Sequence, residues 1–300
     1  MRTRFTGVGT ALITPFRKDG SVDESAVKRL ARRQIEGGVH FLVPCGTTGE
    51  SPTLSDEEKL RVCELVVEES NGAVPVLAGC GGYDTREVIR AAGELERVGV
   101  DGFLSVTPYY NKPTQEGLFQ HYKAFAESTP LPIVLYSIQG RTGINLNVDT
   151  VVRLSTIKNI VAIKEASGNV VQMMEIVGQA PEEFILLSGD DPLTVPIMAI
   201  GGRGVISVVS NEAPSETVQV VEMCERGDFS GARKLQQWLL PLIQVNFVES
   251  NPSPCKVAMA AMGLSEATVR LPLVTPSSAS RDKIMGVLQQ LKMLGAAARI

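Results

Sequence analysis

Short apolar runs alternate along the chain with longer segments whose apolar residues have helical spacing. Eight such runs occur, at residues 8–13, 40–43, 74–77, 102–106, 132–136, 160–164, 184–187 and 204–208. Because the runs are continuous and do not alternate with polar residues, they indicate strands buried on both faces, as in a parallel sheet covered by helices. Each intervening segment is long enough for one crossover helix. The pattern therefore predicts an α/β fold.

Capping signals lie where this scheme places the starts of helices. Asp23 can cap a helix that ends near Gly37 and Gly38, and Ser55 with Glu58 has the spacing of a capping box. Eight strand–helix units without a long interruption favour a (β/α)8 TIM barrel. Periodicity does not show whether the sheet closes, so a doubly wound open sheet stays as the alternative.

Beyond the eighth run the pattern changes to helices alone. Candidate helices cover residues 229–248, 254–262 and 281–294. We therefore expect two parts, a (β/α)8 catalytic barrel over residues 1–227 and a C-terminal helical extension over residues 228–300. Pro241 lies inside the first of these helices and is expected to kink or split it.

Composition narrows the class of protein. Of 300 residues, 44% are hydrophobic, which suffices for a sizeable core, and 29 basic against 33 acidic side chains leave a net charge of −4. A chain with this charge balance lacks the excess of basic residues that nucleic-acid binding needs, so nucleic-acid binding is not expected. The longest apolar run, 257–262, is far shorter than the ~20 residues of a membrane helix, and residues 1–16 lack the apolar stretch of a signal peptide. We expect no membrane association and a cytoplasmic location.

The chain offers little material for metal or nucleotide chemistry. Its five cysteines include no closely spaced pair, and its two histidines, His40 and His121, are far apart in sequence. A zinc site, a histidine-based metal site and a Ser-His-Asp triad are therefore not expected. No Gly-rich dinucleotide motif opens a helix after a strand, and the Gly-Gly-Arg-Gly at 201–204 lacks the lysine of a phosphate loop. We expect neither a metal nor a cofactor.

In a (β/α)8 barrel the chemistry lies at the carboxyl ends of the strands, so polar residues that follow the apolar runs are the candidates. Lys164 ends the sixth run. Desolvation disfavours the ammonium form of a lysine, and the neutral amine attacks a ketone to form a Schiff base. For an isolated lysine, a side chain that extends into solvent or an ion pair with Glu165 is the better interpretation. Only suitable neighbours change that judgement.

Three neighbouring features supply that support. Tyr136 ends the preceding run and is expected beside Lys164 in a barrel, where its phenol can carry protons to and from a carbinolamine. Thr47 and Thr48, between two glycines, offer backbone amides and hydroxyls to a small carboxylate. Arg141, in a glycine-bounded loop, can hold a second carboxylate through two parallel bonds. Taken singly, these features also fit a core tyrosine, an ordinary glycine turn and a surface charge.

Six motifs follow one another along the chain. They are Gly-Thr-Thr-Gly-Glu-Ser at 46–51, Val-Thr-Pro-Tyr-Tyr-Asn at 106–111, Gly-Arg-Thr-Gly at 140–143, Ile-Lys-Glu-Ala at 163–166, Leu-Ser-Gly-Asp-Asp at 187–191 and Gly-Val-Ile-Ser-Val at 204–208. In this order they resemble the dihydrodipicolinate synthase family, of the class I pyruvate-dependent aldolase and lyase superfamily. The resemblance extends over nearly the whole chain. It implies an enzyme that condenses pyruvate with aspartate semialdehyde to 4-hydroxy-tetrahydrodipicolinate, in lysine and diaminopimelate biosynthesis.

The resemblance also implies catalytic roles for four residues. Lys164 would carry the pyruvate Schiff base, and Tyr136 would relay protons. Thr47 would link Tyr136 to Tyr110 in that relay. In the family the tyrosine that matches Tyr110 is lent across a subunit interface, so a homodimer or a homotetramer built from dimers is implied.

Substrate contacts are implied in the same way. Thr48 would help to hold the carboxylate of pyruvate, Arg141 would hold that of the semialdehyde, and the backbone at Gly189 and Ile206 would line the pocket. The family usually has Tyr-Asn-Val-Pro ahead of its Gly-Arg-Thr-Gly, whereas Ser-Ile-Gln occupies 137–139 here. This difference alters the segment that presents Arg141, so the second substrate is less firmly implied than the first.

A regulatory pocket for lysine is a further implication. The residues that fit it are Ser51, Tyr83, Glu87 and Tyr109. Asp56 and Lys59 stand where lysine-sensitive bacterial members carry histidines, and Tyr83 replaces an asparagine. A fixed ammonium group at Lys59 should repel the amines of the effector. We therefore predict weak or absent inhibition by lysine.

Two other functions stay open on the sequence alone. N-acetylneuraminate lyase or another 2-oxo-acid aldolase shares the Schiff-base lysine and its tyrosine, but sugar-cleaving relatives usually lack an arginine that corresponds to Arg141. The second alternative is a non-catalytic module that binds an oxo acid. The joint presence of Thr47, Tyr110, Tyr136 and Lys164 argues against it, because binding does not require a proton relay.

Overall fold

The structure is a computed structural model that describes residues 5–294. Within that range eight strands form one sheet: β1 Gly7–Ala11, β2 Phe41–Val43, β3 Leu77–Gly79, β4 Gly102–Val106, β5 Ile133–Ser137, β6 Ile160–Glu165, β7 Ile185–Ser188 and β8 Gly204–Ser207. The strands pair in parallel in the order β2-β1-β8-β7-β6-β5-β4-β3. A parallel bridge between Leu42 and Val76 joins the two ends of this order. The predicted TIM barrel is confirmed, and the open sheet is wrong.

Helices connect the strands and cover the barrel. They are α1 Glu24–Glu36, α2 Asp56–Ser70, α3 Thr85–Val98, α4 Gln115–Ser128, α5 Gln139–Thr142, α6 Val148–Ser155, α7 Val170–Gln179, α8 Thr194–Ala199, α9 Pro214–Glu225, α10 Phe229–Val245, α11 Ser253–Ala261 and α12 Ser278–Gln290. The predicted caps are present, since Asp23 accepts a bond from the N–H of Ala26 and Ser55 forms a capping box with Glu58. None of the helices in the described part of the chain has the length and apolar character needed to cross a membrane.

The third strand lies later than predicted, at Leu77–Gly79 and not at 74–77. Pro75 has no N–H to donate to a neighbouring strand, although its carbonyl accepts a bond of 2.9 Å from the N–H of Leu42. Regular pairing with β4 therefore begins only at Leu77, opposite Gly102. The other seven strands begin and end within one or two residues of the predicted limits.

The C-terminal helices pack on one side of the barrel. Leu239 of α10 and Ile284 of α12 share an apolar cluster with Val209 and Val220, which belong to the barrel part of the chain. α10 continues through Pro241 as one helix, so the predicted split is wrong. Leu239 and Leu242, on either side of the proline, both pack into this cluster, which favours an unbroken helix.

A separate cluster fills the inside of the barrel. Phe5, Phe41, Leu77 and Leu104 belong to it, together with Tyr136 near its carboxyl end. Because these side chains occupy the interior, the barrel is a packed core in the described part of the chain.

Candidate active site

Lys164 and Tyr136 lie side by side at the carboxyl ends of β6 and β5. The strand register pairs these two residues directly. Both are buried, with 5% and 4% of their surfaces exposed, and Lys164 Nζ lies 4.3 Å from the centre of the Tyr136 ring. Glu165 is the next residue of the strand and so faces the other side of the sheet, where it accepts a 2.8 Å bond from the hydroxyl of Ser167. Lys164 therefore neither extends into solvent nor pairs with Glu165.

The carboxyl groups of Glu165 and Asp190 lie near this pair, and in residues 5–294 neither bonds to the lysine. Burial raises the pKa of Glu165 to about 7, and the bonds from Ser167 oppose that shift. Burial, and then the charge of Asp191, raise the pKa of Asp190, whereas the charge of Lys164 lowers it. Within residues 5–294 no group of three or more His, Cys, Asp or Glu side chains is arranged to hold a metal ion.

Residues 45–50, which we call the β2 loop, form a tight turn after β2. The residues at its two ends, Cys45 and Glu50, have left-handed backbone with φ of 56° and 54°, which is unusual for residues other than glycine. The N–H of Glu50 donates back to the carbonyl of Thr47 at 3.1 Å. Among the described residues, the backbone amides of Thr47 and Thr48 have no hydrogen-bond acceptor. Two adjacent donors are therefore available to an anion.

Asn251, which the sequence analysis missed, connects the β2 loop to Arg141. Its side-chain amide donates a 3.0 Å bond to the hydroxyl of Thr48, and its backbone carbonyl accepts a 3.2 Å bond from the guanidinium group of Arg141. No motif in the sequence marks this residue, because it lies 203 positions from Thr48 and 110 from Arg141. The contact places the two predicted carboxylate-binding residues on one wall.

A cavity of about 300 Å³ opens at this rim. Of the residues predicted for catalysis or substrate binding, Thr47, Tyr136 and Arg141 line it, whereas Lys164 and Thr48 do not. Arg141 lies in the helical turn α5 and not in an irregular loop. The segment 137–139 that departs from the family pattern is anchored by Ser137, whose hydroxyl accepts a bond from the N–H of Leu146. The cavity therefore has the phenol of Tyr136 and the guanidinium group of Arg141 in its wall.

Gly189 lies against the side chain of Lys164, but neither Gly189 nor Ile206, the two residues expected to line the pocket, is in the wall of the cavity. A methyl group at Gly189 would lie 3.0 Å from Cε and Cγ of Lys164 and 2.7 Å from Cβ of Ala166, so only glycine fits without displacing the lysine. Ile206 is 1% exposed and packs in the same interior cluster as Tyr136.

Tyr110 is not part of this arrangement within one chain. It is 90% exposed, has a φ of 65°, and does not line the cavity. Its neighbour Tyr109 does line the cavity, and burial raises the pKa of the Tyr109 phenol. The structure of one chain therefore does not assemble the predicted link from Thr47 to Tyr110.

The residues predicted for a regulatory pocket lie together beside the active site. A second cavity, of about 260 Å³, is lined by Ser51, Tyr83 and Glu87, and Tyr109 packs edge-on against Tyr83 with ring centres 5.3 Å apart. Both cavities share Ser51 and Lys59 in their walls. The pocket therefore adjoins the catalytic one.

Charged residues of α2 and α3 occupy the wall of this second cavity. Lys59 Nζ pairs with Asp56 at 3.2 Å, and the other oxygen of Asp56 accepts a 2.6 Å bond from Arg90. Arg90 also holds the carboxylate of Glu87 at 2.8 Å. The acidic groups that could receive a cationic effector are already bound by cations of the chain.

Known proteins of similar sequence and structure show to which family this architecture belongs. The family model described as "Dihydrodipicolinate synthetase family" matches residues 4–291. A 4-hydroxy-tetrahydrodipicolinate synthase of Koribacter versatilis is 47% identical over 97% of this chain and 97% of its own length. The crystal structure of dihydrodipicolinate synthase from Aquifex aeolicus has a TM-score of 0.95 at 42% identity, over 97% of this chain and all of the other.

A third similar protein is described as the first monomeric dihydrodipicolinate synthase variant. Its TM-score is 0.95 at 41% identity, and the match covers 97% of this chain and 98% of the other. The matches to the family and to these relatives run over nearly the full length of the chain. The chain therefore belongs to the dihydrodipicolinate synthetase family.

Proposed function

We propose that this protein is a 4-hydroxy-tetrahydrodipicolinate synthase, a lyase that condenses pyruvate with L-aspartate 4-semialdehyde through a Schiff base on Lys164. The observation that carries the proposal is the buried pair of Lys164 and Tyr136, with no carboxylate bonded to the amine. The synthase activity of the relatives, at 47% identity over nearly the whole chain, agrees with it. We also propose that the reaction serves lysine and diaminopimelate biosynthesis in the cytoplasm.

The chemistry begins at the lysine nitrogen. Neutral Nζ attacks the ketone carbon of pyruvate, a C–N bond forms, and loss of water from the carbinolamine leaves an imine. The ring of Tyr136 lies beside this nitrogen, and its phenol supplies the proton that the departing water needs. Loss of a methyl proton converts the imine to an enamine, whose carbon attacks the aldehyde of the second substrate. The amine of that substrate then displaces Lys164 from the former ketone carbon, which closes the ring.

Two anion-binding features fit the two carboxylates. The unpartnered amides of Thr47 and Thr48, with the Thr48 hydroxyl, provide donors for the carboxylate of pyruvate. Arg141, at the cavity edge and held by the carbonyl of Asn251, provides a cation for the carboxylate of the semialdehyde. The backbone at Gly189 and Ile206 completes the pocket around the lysine.

We propose a homodimer or homotetramer in which Tyr110 completes the site of a neighbouring subunit. Its 90% exposure and left-handed backbone fit a side chain that is held out from its own chain. Apart from the surface around Tyr110, an exposed apolar pair lies on α7, where Val171 and Met174 are 65% and 54% exposed. Two separate surfaces of this kind suit an assembly with two kinds of interface.

Borohydride trapping tests the function. Incubation with pyruvate and borohydride should add one reduced pyruvyl group at Lys164, and Lys164→Ala should abolish both the adduct and turnover with aspartate semialdehyde. The control is Lys158→Ala, which removes an exposed lysine near the start of β6 and should behave as wild type. An unmodified wild-type lysine, or cleavage of N-acetylneuraminate in place of condensation, would overturn the proposal.

A further inference from the structure

We propose that the buried ion pair between Lys256 and Glu50 positions the β2 loop for the carboxylate of pyruvate. The inference rests on the function proposed above. Lys256 lies in α11, in the C-terminal helices, 206 residues from Glu50. It acts on the site through Glu50 and has no proposed contact with substrate, so it is a positioning residue.

Every polar group of this pair is bonded inside the protein. The side chains of Lys256 and Glu50 are 0% and 1% exposed. Lys256 Nζ donates to one carboxylate oxygen of Glu50 and to the carbonyl of Thr268 at 3.0 Å, and it lies 4.0 Å from the centre of the Phe16 ring. The other carboxylate oxygen accepts a 3.1 Å bond from the N–H of Arg270. Glu50 is therefore fixed from both sides by the C-terminal part of the chain.

Fixing Glu50 also fixes the loop. Its backbone is left-handed, with φ of 54° and ψ of 34°, a conformation that persists in a residue other than glycine only where the surroundings impose it. At the other end of the loop, the backbone of Cys45 adopts the same left-handed conformation. The unpartnered amides of Thr47 and Thr48 lie between these two residues, so their direction depends on both ends being held.

The chemistry of the pair also favours a positioning role. Replacing a buried ion pair with well-packed apolar residues is often neutral for stability, because the cost of removing both charges from water offsets their attraction. A buried ion pair does fix the positions of its side chains, because each charged atom must keep a hydrogen-bond partner. The same C-terminal segment holds the loop at a second point, where Asn251 donates to the hydroxyl of Thr48. Both contacts converge on the residues proposed to bind pyruvate.

The test is a double variant, Glu50→Gln with Lys256→Met, in the full-length enzyme. It leaves neither charge unpaired, and the amide oxygen of the new glutamine can still accept from the N–H of Arg270. We expect the pyruvate concentration for half-maximal borohydride trapping, and the KM for pyruvate, to rise about tenfold or more. The KM for aspartate semialdehyde and kcat should change less than about threefold.

Two controls separate positioning from general loosening. Lys28→Met with Glu68→Gln makes the same chemical change in an exposed pair and should leave both KM values unchanged. Leu288→Ala truncates a buried residue of α12, which lowers stability without touching the loop, and it should leave the KM for pyruvate unchanged. A rise of that KM in Leu288→Ala equal to the rise in the double variant overturns the proposal, as does a folded double variant with wild-type pyruvate affinity.

A single variant covers the case in which the double variant does not fold. Glu50→Gln alone keeps an acceptor for Lys256 but cannot serve both Lys256 and the Arg270 N–H as a carboxylate does. We expect a smaller rise in the KM for pyruvate, and a wild-type value overturns the inference. Failure of the wild-type protein to trap pyruvate would instead overturn the proposed function, so the two failures are distinguishable.

Discussion

At the scale of single residues, the surroundings of Lys164 decide how its amine is presented. The ring of Tyr136 lies on one side, and the backbone of Gly189 lies against the aliphatic part of the lysine side chain. Sequence could predict the pairing of Lys164 with Tyr136, because adjacent parallel strands bring their carboxyl ends to the same edge. The resemblance implied that Gly189 lines the pocket, but the space of less than one methyl group that it leaves beside Lys164 and Ala166 depends on side-chain packing and could not be predicted.

Gly189→Ala should impair the lysine without unfolding the barrel. The added methyl group would meet Lys164 at 3.0 Å and push its amine away from the pyruvate position. We expect kcat/KM for pyruvate to fall about tenfold or more, since small displacements of a reacting group are costly. Gly140→Ala, on the same rim but with no atom within 4 Å of the added group, is the matched control and should stay within about twofold of wild type. Equal activities in the two variants would contradict this account.

Glu165 should make stability depend on pH. Because burial raises the pKa of Glu165 from its ordinary value of 4.5 to about 7, the folded state keeps a proton that the unfolded state has already lost at pH values between these two. This contribution is therefore full below pH 4.5 and is lost as the pH rises through about 7. Glu165→Gln keeps a bond to Ser167 and removes the titration, so its Tm should fall less than that of wild type between about pH 5 and pH 8, by roughly 2 to 5 °C.

Thermal unfolding monitored by circular dichroism at several pH values makes this measurement. Glu182→Gln, at an exposed carboxylate, serves as the control and should follow the wild-type curve. Parallel curves for wild type and Glu165→Gln would show that Glu165 does not titrate in this range.

At the scale of elements, strand ends carry the functional information, and the sequence revealed most of them. Continuous apolar runs predicted seven of the eight strands closely, and Pro75 displaced the third because it cannot donate a hydrogen bond. Asn251, Lys256 and Glu50 could not be predicted as a group. They meet through contacts between residues more than 200 positions apart, and nothing in a local pattern indicates such partners.

The contacts between helices α2 and α3 support the prediction that free lysine inhibits the enzyme weakly or not at all. Lys59 and Arg90 already occupy Asp56, and Arg90 also binds Glu87, so the acidic groups of the second cavity have cationic partners. We expect millimolar lysine to leave the condensation rate nearly unchanged. Lys59→Ala removes one of these cations and should increase sensitivity to lysine. Steady-state assays with added lysine measure both, and full inhibition of the wild-type enzyme by millimolar lysine would contradict the prediction.

At the scale of the whole molecule, the two parts of the chain function together. We propose the division into a barrel at 1–227 and a helical part at 228–300 as a description of architecture. The two parts share an apolar cluster that includes Val220 and Leu239, and both contribute to the site through Thr48 and Asn251. The helical part is thus a wall of the active site as well as a cover for the barrel.

Mixing two inactive variants tests whether subunits share Tyr110. Tyr110→Phe and Lys164→Ala should each have little activity as homo-oligomers. In a mixed oligomer, a chain with intact Lys164 receives intact Tyr110 from its neighbour, so unfolding and refolding the two together should restore part of the wild-type rate. Refolding each variant alone is the control and should restore none. Absence of recovery in mixtures shown to contain hybrid oligomers would mean that Tyr110 serves its own chain.

The contacts of Asn251, Lys256 and Arg270 with the β2 loop also bear on how the protein is made. A ribosome releases the eight strands first, so a growing chain carries its reactive amine and phenol before the groups that hold the loop exist. The residues that hold the loop join the chain only after all eight strands have been made. The carboxylate-binding loop therefore gains its last supports after the barrel strands are complete.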